Sequence, residues 1–154
     1  MPGISIHVSI GGLKELAGRM LNWSRTEKHR MYAQAMKDSL EAIGDAVPPY
    51  PAPPMGSKYI RTEKLGKSMG SGFGGGRMGQ PDIYEIRATG GAVEGKYGSN
   101  LGYAEYVIGD PPDQAEVHAG RWWTVGKLRD RAMDKISGIW NALGERIAAY
   151  INGR

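Results

Sequence analysis

Five prolines within seven residues constrain this chain more than any other stretch of it. They are Pro48, Pro49, Pro51, Pro53 and Pro54. Proline lacks a backbone donor and crowds the preceding turn, so no helix can continue through this segment. Proline runs of this kind form stiff, extended connections. The sequence therefore predicts a Pro-rich strut (residues 48–54) that fixes the part of the chain before it against the part after it.

Apolar residues with helical spacing occur on both sides of the strut. Before it, one apolar face predicts an amphipathic helix that Ser24 or Thr26 caps and Pro48 stops. That face consists of Tyr32, Met36, Leu40, Ile43 and Val47. After the strut, Thr62 is expected to cap a short helix through Leu65 to Ser68.

The clearest helix is predicted from about Val125 to Ile151. Its apolar stripe consists of Ala132, Ile136, Ile139, Trp140, Leu143, Ile147 and Tyr150. Such a stripe is most simply buried in the core of one chain. As an alternative, Trp140 and Tyr150 join helices of two copies, since both are large for a small core.

Alternating and short apolar runs predict the strands. Ile4, Ile6, Val8 and Ile10 alternate with polar residues, which is typical of a half-buried strand. Further strands are predicted at Ile83–Thr89 and Val93–Tyr97, with a turn at residues 90–91. A short helix is expected near residues 13–23, and a short apolar element over residues 103–108.

The order of these elements favours an α+β fold, with a small antiparallel β-sheet packed by two long helices. At 154 residues the chain is expected to be a single domain, 1–154, with a flexible Gly-rich loop at residues 70–80. The glycines make this loop too mobile for order unless something holds it, and we expect a neighbouring subunit to do so.

Composition limits the classes of function. The chain has no cysteine, which excludes disulfides and thiolate chemistry and favours a reducing compartment. We expect no signal peptide and no membrane span, because no long apolar run is present. The net charge is only +4, which is small for a nucleic-acid-binding protein.

Charge is nevertheless segregated along the chain. Residues 82–116 contain seven acidic and two basic residues, whereas residues 58–77 contain five basic and one acidic. Residues 121–135 contain five basic and two acidic residues. This charge can cancel within one molecule, or the acidic segment of one copy can meet the basic Lys58–Arg77 segment of its neighbour. Our hypothesis is the contact between neighbouring copies.

Two motifs suggest chemistry, and each has a simpler explanation. Gly70, Gly72 and Gly75 match G-x-G-x-x-G, but a dinucleotide site needs a strand before the glycines and a helix after them. His118 lies near two carboxylates, yet no nucleophile or metal partner is spaced for it. We expect its side chain to hydrogen-bond a local backbone group. No metal-ligand spacing relates the three histidines.

Arg121, Trp122 and Trp123 suggest either a stacking platform for single-stranded nucleic acid or a protein contact. In the first case Lys127, Arg129 and Arg131 would bind phosphates. Adjacent residues of an extended segment point to opposite faces, so one indole is expected in the core and one outside. An exposed tryptophan beside arginine is typical of protein interfaces, and the modest net charge favours this reading.

The order of two motifs resembles a family of long-tailed bacteriophage proteins, the head–tail joining or tail-completion (neck) proteins, which also include minor tail components. The first motif, R-T-G-x-L-x-x-S after a proline-containing loop, corresponds to Arg61–Ser68, with Glu63 at the glycine position. The second, Y-A-x-Y-V-x-G, corresponds to Tyr103–Gly109 and is followed by Gln114, His118 and Trp122 or Trp123. The resemblance covers about residues 25–125.

The resemblance implies a structural virion protein without catalytic residues, cofactor or metal. It implies a homo-oligomeric ring, expected to be hexameric, between the head connector and the tail tube, with assembly in the host cytoplasm and a final place in the virion. Double-stranded DNA would pass through the lumen without sequence-specific binding. A tail-terminator or minor tail subunit is the alternative within the family. The expected subunit-interface residues are Tyr59, Arg61, Lys64, Lys67, Phe73, Arg77, Glu85, Glu94, Glu105, Tyr106, Gln114, His118, Arg121 and Trp122.

Overall fold

A computed structural model of the chain describes residues 3–11, 25–58, 61–89 and 92–152. Four predicted features lie outside the described residues. They are the short helix near residues 13–23, the Ser24 cap, Tyr59 and the turn at residues 90–91.

The described elements are three short strands and four helices of very different length. In chain order they are β1 (Ile4–Ile10), α1 (Arg25–Asp45), α2 (Lys64–Ser68), β2 (Ile83–Thr89), β3 (Ala92–Ser99), α3 (Ala104–Ile108) and α4 (Val125–Ile151). The three strands form one antiparallel sheet in the order β1-β3-β2. The predicted α+β fold, with a small antiparallel sheet packed by two long helices, is confirmed.

The inner face of the sheet carries the apolar residues of all three strands. Ile6 of β1 and Tyr84 of β2 both lie opposite Tyr97 of β3, and Tyr97 is almost completely buried. The polar residues between them lie on the outer face, because side chains alternate along a strand. This alternation is what the sequence of β1 predicted.

Helix α1 lies directly on the middle strand, and Gly95 makes this possible. A Cβ atom at Gly95 would be 2.6 Å from Sδ of Met36 and 2.9 Å from Cδ2 of Leu40. A side chain at this position would force Met36 and Leu40 out of their present packing against the strand.

Helix α4 packs antiparallel on α1 through polar as well as apolar contacts. Nζ of Lys135 lies 2.8 Å from a carboxylate oxygen of Asp45, and Nε1 of Trp140 donates to Oγ of Ser39 at 2.9 Å. The residue numbers rise in one helix as they fall in the other. Trp140 thus bonds within its own chain, whereas Tyr150 is half-exposed near the end of the helix.

The helix termini confirm some of the predicted boundaries and correct one. Helix α1 ends at Asp45, just before the strut, and α4 begins at Val125, as predicted. The prediction of Thr62 as a cap is wrong. Glu63 occupies the N-cap position of α2 and makes no side-chain capping bond; its carboxylate lies 3.2 Å from Nζ of Lys67.

Candidate interaction surface

The strut leaves the end of α1 as an extended segment, and the glycine loop (residues 70–80) lies along it. The backbone N–H of Tyr50 donates to the carbonyl of Phe73 at 2.8 Å, and that of Gly76 donates to the carbonyl of Val47 at 2.8 Å. We expected a neighbouring subunit to hold this loop. The structure instead shows that the strut of the same chain holds it.

Gly75 is the point of closest approach between the loop and the strut. Its φ is +75°, and a Cβ atom there would lie 2.6 Å from the backbone nitrogen of Pro49. Only glycine combines this backbone conformation with so close an approach. The glycines of this loop therefore have a packing role, and the loop is followed by β2 rather than by the helix that a dinucleotide site needs.

Two arginines bind the exposed carbonyl groups of the strut. Prolines cannot donate hydrogen bonds, but the carbonyls along the strut can still accept them. The guanidinium of Arg61 donates to the carbonyls of Pro51 and of Ala52, the latter at 3.3 Å. Arg121 donates to the carbonyl of Ala52 at 3.5 Å. The strut is thereby tied to two segments that are distant in sequence.

An aromatic cluster fills the space behind the strut. The Tyr50 ring contacts Phe73 and Trp122 edge-on, with centroid distances of 4.9 Å in both cases. The guanidinium of Arg61 lies over Trp122 at 5.5 Å from its ring centroid. The Tyr50 hydroxyl accepts a hydrogen bond from the backbone N–H of Gly66 at 2.6 Å. These contacts give the strut a rigid base.

Both adjacent tryptophans are buried, with 8% and 9% of Trp122 and Trp123 exposed. The prediction that one indole stays outside is therefore wrong. It assumed an extended backbone, but the N–H of Trp122 donates to the carbonyl of His118 at 2.9 Å and so lies in a turn. Because neither indole is accessible, the Arg121–Trp123 segment provides no stacking platform for nucleic acid.

His118 packs edge-on against Trp122, with a centroid distance of 6.4 Å. Its Nδ1 atom is buried and has no hydrogen-bond partner among the described residues, so the expected side-chain bond to the local backbone is not found. Burial lowers the pKa of His118, and the nearby charge of Arg121 lowers it further. The imidazole is therefore neutral at pH 7, which suits a packing role.

Five exposed apolar side chains lie at the end of the strut, on the glycine loop and on the segments around residues 103–106 and 117, and they form what we call the apolar rim. They are Met55, Phe73, Tyr103, Tyr106 and Val117. Met55 is fully exposed at the end of the strut, and Phe73 contacts Tyr50 directly. Exposed aromatic residues and methionine on a rigid base are characteristic of protein interfaces.

Hydrogen bonds between nearby segments hold α3 close to the aromatic cluster, and Val117 lies on one of these segments. The Gln114 side chain donates to the carbonyl of Val107 at 2.8 Å, and the N–H of Ala115 donates to the carbonyl of Tyr106 at 2.9 Å. Val117 immediately precedes His118, which packs on Trp122. The rim and the cluster therefore belong to one surface, which we call the strut surface.

The structure brings eight of the fourteen expected interface residues to the strut surface. These are Arg61, Phe73, Glu105, Tyr106, Gln114, His118, Arg121 and, as part of the buried base, Trp122. Three contributors were not in the expected set: Met55, Tyr103 and Val117. Tyr103 was identifiable from the Y-A-x-Y motif, whereas no sequence signal marked Met55 or Val117 as exposed.

The other expected interface residues lie elsewhere, and most have partners in their own chain. Arg77 pairs with Glu41 and Asp45 of α1 at 3.0 and 3.4 Å. Lys67 pairs with Glu63, and Lys64 is exposed beside it on α2.

The expected acidic residues Glu85 and Glu94 lie on the outer face of the sheet. Glu85 is 3.0 Å from Arg87, and Glu94 is 3.6 Å from His7. Two residues of the basic segment and two of the acidic segment therefore have partners within one molecule.

Neither a metal site nor a membrane span is found in the described part of the chain. No three His, Cys, Asp or Glu side chains are grouped for a metal ion within it. None of its helices is long and apolar enough to cross a bilayer.

Comparisons with known proteins add no relative. No family model matches the sequence, and no curated protein or solved structure matches it either.

Proposed function

We propose that this protein is a structural virion subunit of a tailed phage, a neck or tail-completion protein that forms a ring between the head connector and the tail tube. The strut surface is the contact between copies. The observation that carries the proposal is the apolar rim, in which exposed aromatic side chains lie near an internally braced base.

The bracing supports an assembly role because a rigid surface loses little conformational entropy on binding. Arg61 and Arg121 bind the strut carbonyls, and the glycine loop packs along the strut. Tyrosine, phenylalanine and methionine then present apolar area to a partner without requiring the backbone to rearrange.

The phage assignment itself depends on the order of the R-T-x-x-L-x-x-S and Y-A-x-Y-V-x-G motifs in the sequence. The small α+β fold agrees with what that resemblance implies. A tail-terminator or minor tail subunit is the alternative role, and it would use the same surface. In either role DNA passes through the lumen without sequence-specific contacts.

A nucleic-acid-binding module is the alternative from another class, and the burial of Trp122 and Trp123 argues against it. Without a stacking platform, such a module would bind nucleic acid only through phosphate contacts from exposed basic residues. Contacts of this kind give strongly salt-dependent binding. A gel-shift experiment with single- and double-stranded DNA at low salt tests this alternative. A shift at micromolar protein would favour it over assembly.

Light scattering of the purified protein tests the ring. Six copies of a 16.7 kDa chain have a mass of about 100 kDa. A closed ring gives one concentration-independent mass above its dissociation range, and electron microscopy of the same sample then shows the copy number. A persistent monomer at high micromolar concentration would contradict the proposal.

A further inference from the structure

A head-to-tail ring needs two different surfaces on each copy, because each contact joins unlike faces. The strut surface is one of them. We infer that the other is the groove between β1 and α4, and that it receives Tyr106 and the adjacent Glu105 from α3 of a neighbouring copy. This inference depends on the proposed ring.

The β1–α4 groove is a cavity with a largely apolar lining. It has a volume of about 390 Å³, and its wall includes Ile10, Met133 and Trp140. Met133 is 43% exposed. A flexible, partly exposed methionine can adapt to the shape of an incoming aromatic ring. Tyr106 is itself 52% exposed and contributes such a ring.

The charges of the two surfaces are complementary. Residues 101–117, which contain α3, include four acidic residues and no basic residue. Residues 125–137 of α4 include four basic and two acidic residues, and Arg129 lines the groove. A contact that places Tyr106 in the groove would bring Glu105 towards Arg129. Opposite potentials of this kind favour the correct pairing of surfaces.

Arg129 is available for such a contact. Among the described residues its ion-pair partner is the adjacent Asp130 at 3.1 Å, and both side chains are more than half exposed. An exposed pair of this kind contributes little to stability, so Arg129 can exchange it at low cost for a partly buried carboxylate of the neighbour.

Two other surfaces fit an apolar partner less well. The outer face of the sheet is polar, and its Glu85 and Glu94 already pair with Arg87 and His7. The cavity between α1 and α4 is bordered by charged residues, including Arg30 and Arg146. A tyrosine ring would be placed beside these charges, whereas the β1–α4 groove offers it apolar side chains.

Cysteine cross-linking tests the pairing directly, because the chain has no cysteine of its own. A Tyr106→Cys variant is mixed with a Met133→Cys variant and treated with a short bifunctional thiol reagent. We expect a covalent dimer to form at least about tenfold faster than in the control, because a contact raises the effective thiol concentration to the millimolar range. The control replaces Tyr106→Cys by Tyr150→Cys, which is similarly exposed on α4.

The outcomes separate this inference from the proposed function. If light scattering shows the ring but the 106–133 product forms no faster than the 150–133 control, the groove inference is overturned and the ring stands. If no oligomer forms at all, both are overturned. If the Met133→Cys thiol is shielded from a maleimide reagent in a monomeric sample, the chain fills its own groove, which also overturns the inference.

A charge exchange provides an independent test. Glu105→Lys and Arg129→Glu should each weaken the oligomer about threefold to tenfold, and the double variant should recover most of that loss. Glu105→Lys combined with Lys127→Glu is the matched control and should show no recovery. If both double variants recovered the oligomer to the same extent, the result would contradict the proposed orientation.

Discussion

The guanidinium of Arg61 lies 5.5 Å from the ring centroid of Trp122 and also donates to the carbonyls of Pro51 and Ala52. One side chain thus joins the strut to an indole that is some sixty residues away in sequence. Since this contact places the strut against the aromatic cluster, the strut surface depends on it.

Arg61→Ala should lower the free energy of unfolding by about 1–3 kcal/mol, because it removes a cation–π contact and hydrogen bonds to the strut. Urea unfolding measures the change. Arg61→Lys should be intermediate, since lysine keeps the charge but cannot bind two carbonyls in the same planar geometry. Lys64→Ala, an exposed change nearby, should stay within about 0.5 kcal/mol. Equal effects of Arg61→Ala and Lys64→Ala would show that Arg61 does not brace the strut.

Gly75→Ala should destabilise the fold by at least about 2 kcal/mol, through the positive φ and the clash with the strut. The matched control is Gly74→Ala, because a Cβ atom at Gly74 would meet nothing within 4 Å. That control should change stability by less than about 1 kcal/mol in either direction. Thermal or urea unfolding measures the stability of the two variants. Similar stabilities would mean that the loop does not pack on the strut as described.

The stability of the protein should depend on pH through His118. Burial lowers its pKa in the folded state, so below about pH 6.5 the unfolded chain binds more protons than the folded one. The stability that the neutral imidazole contributes is therefore complete above that pH and is lost as the pH falls through the lowered pKa. His118→Phe should flatten the dependence between pH 7.5 and 5.5. An unchanged slope in urea unfolding at several pH values would refute this.

Much of the fold could be predicted from the sequence because periodicity is local. The alternation in β1 and the apolar stripe of α4 both correspond to elements with the predicted bounds. The two buried tryptophans could not be predicted in this way. Their placement depends on a turn closed by the carbonyl of His118, and the alternation rule does not apply to turns.

The candidate site was less predictable than the fold, because it depends on contacts between residues that are far apart in the sequence. Counting charges in segments suggested that Arg77 would meet a neighbouring copy, whereas it pairs with Glu41 and Asp45 of α1. These partners lie more than thirty residues away in sequence. The exposure of Met55 and Val117 likewise follows from how the segments pack, and no local pattern shows it.

The central claim is that the strut surface joins copies of this chain. The most direct test is the mass, by light scattering, of a variant with Phe73→Ser and Tyr106→Ser, compared with the parent and with Tyr150→Ser. Tyr106 is half-exposed and Phe73 is partly exposed but also packs on Tyr50, so circular dichroism and urea unfolding verify that the double variant is folded before its mass is compared. We predict a ring mass for the parent and for Tyr150→Ser, and a monomer for the double variant. A folded double variant with the same mass as an oligomeric parent would contradict the account.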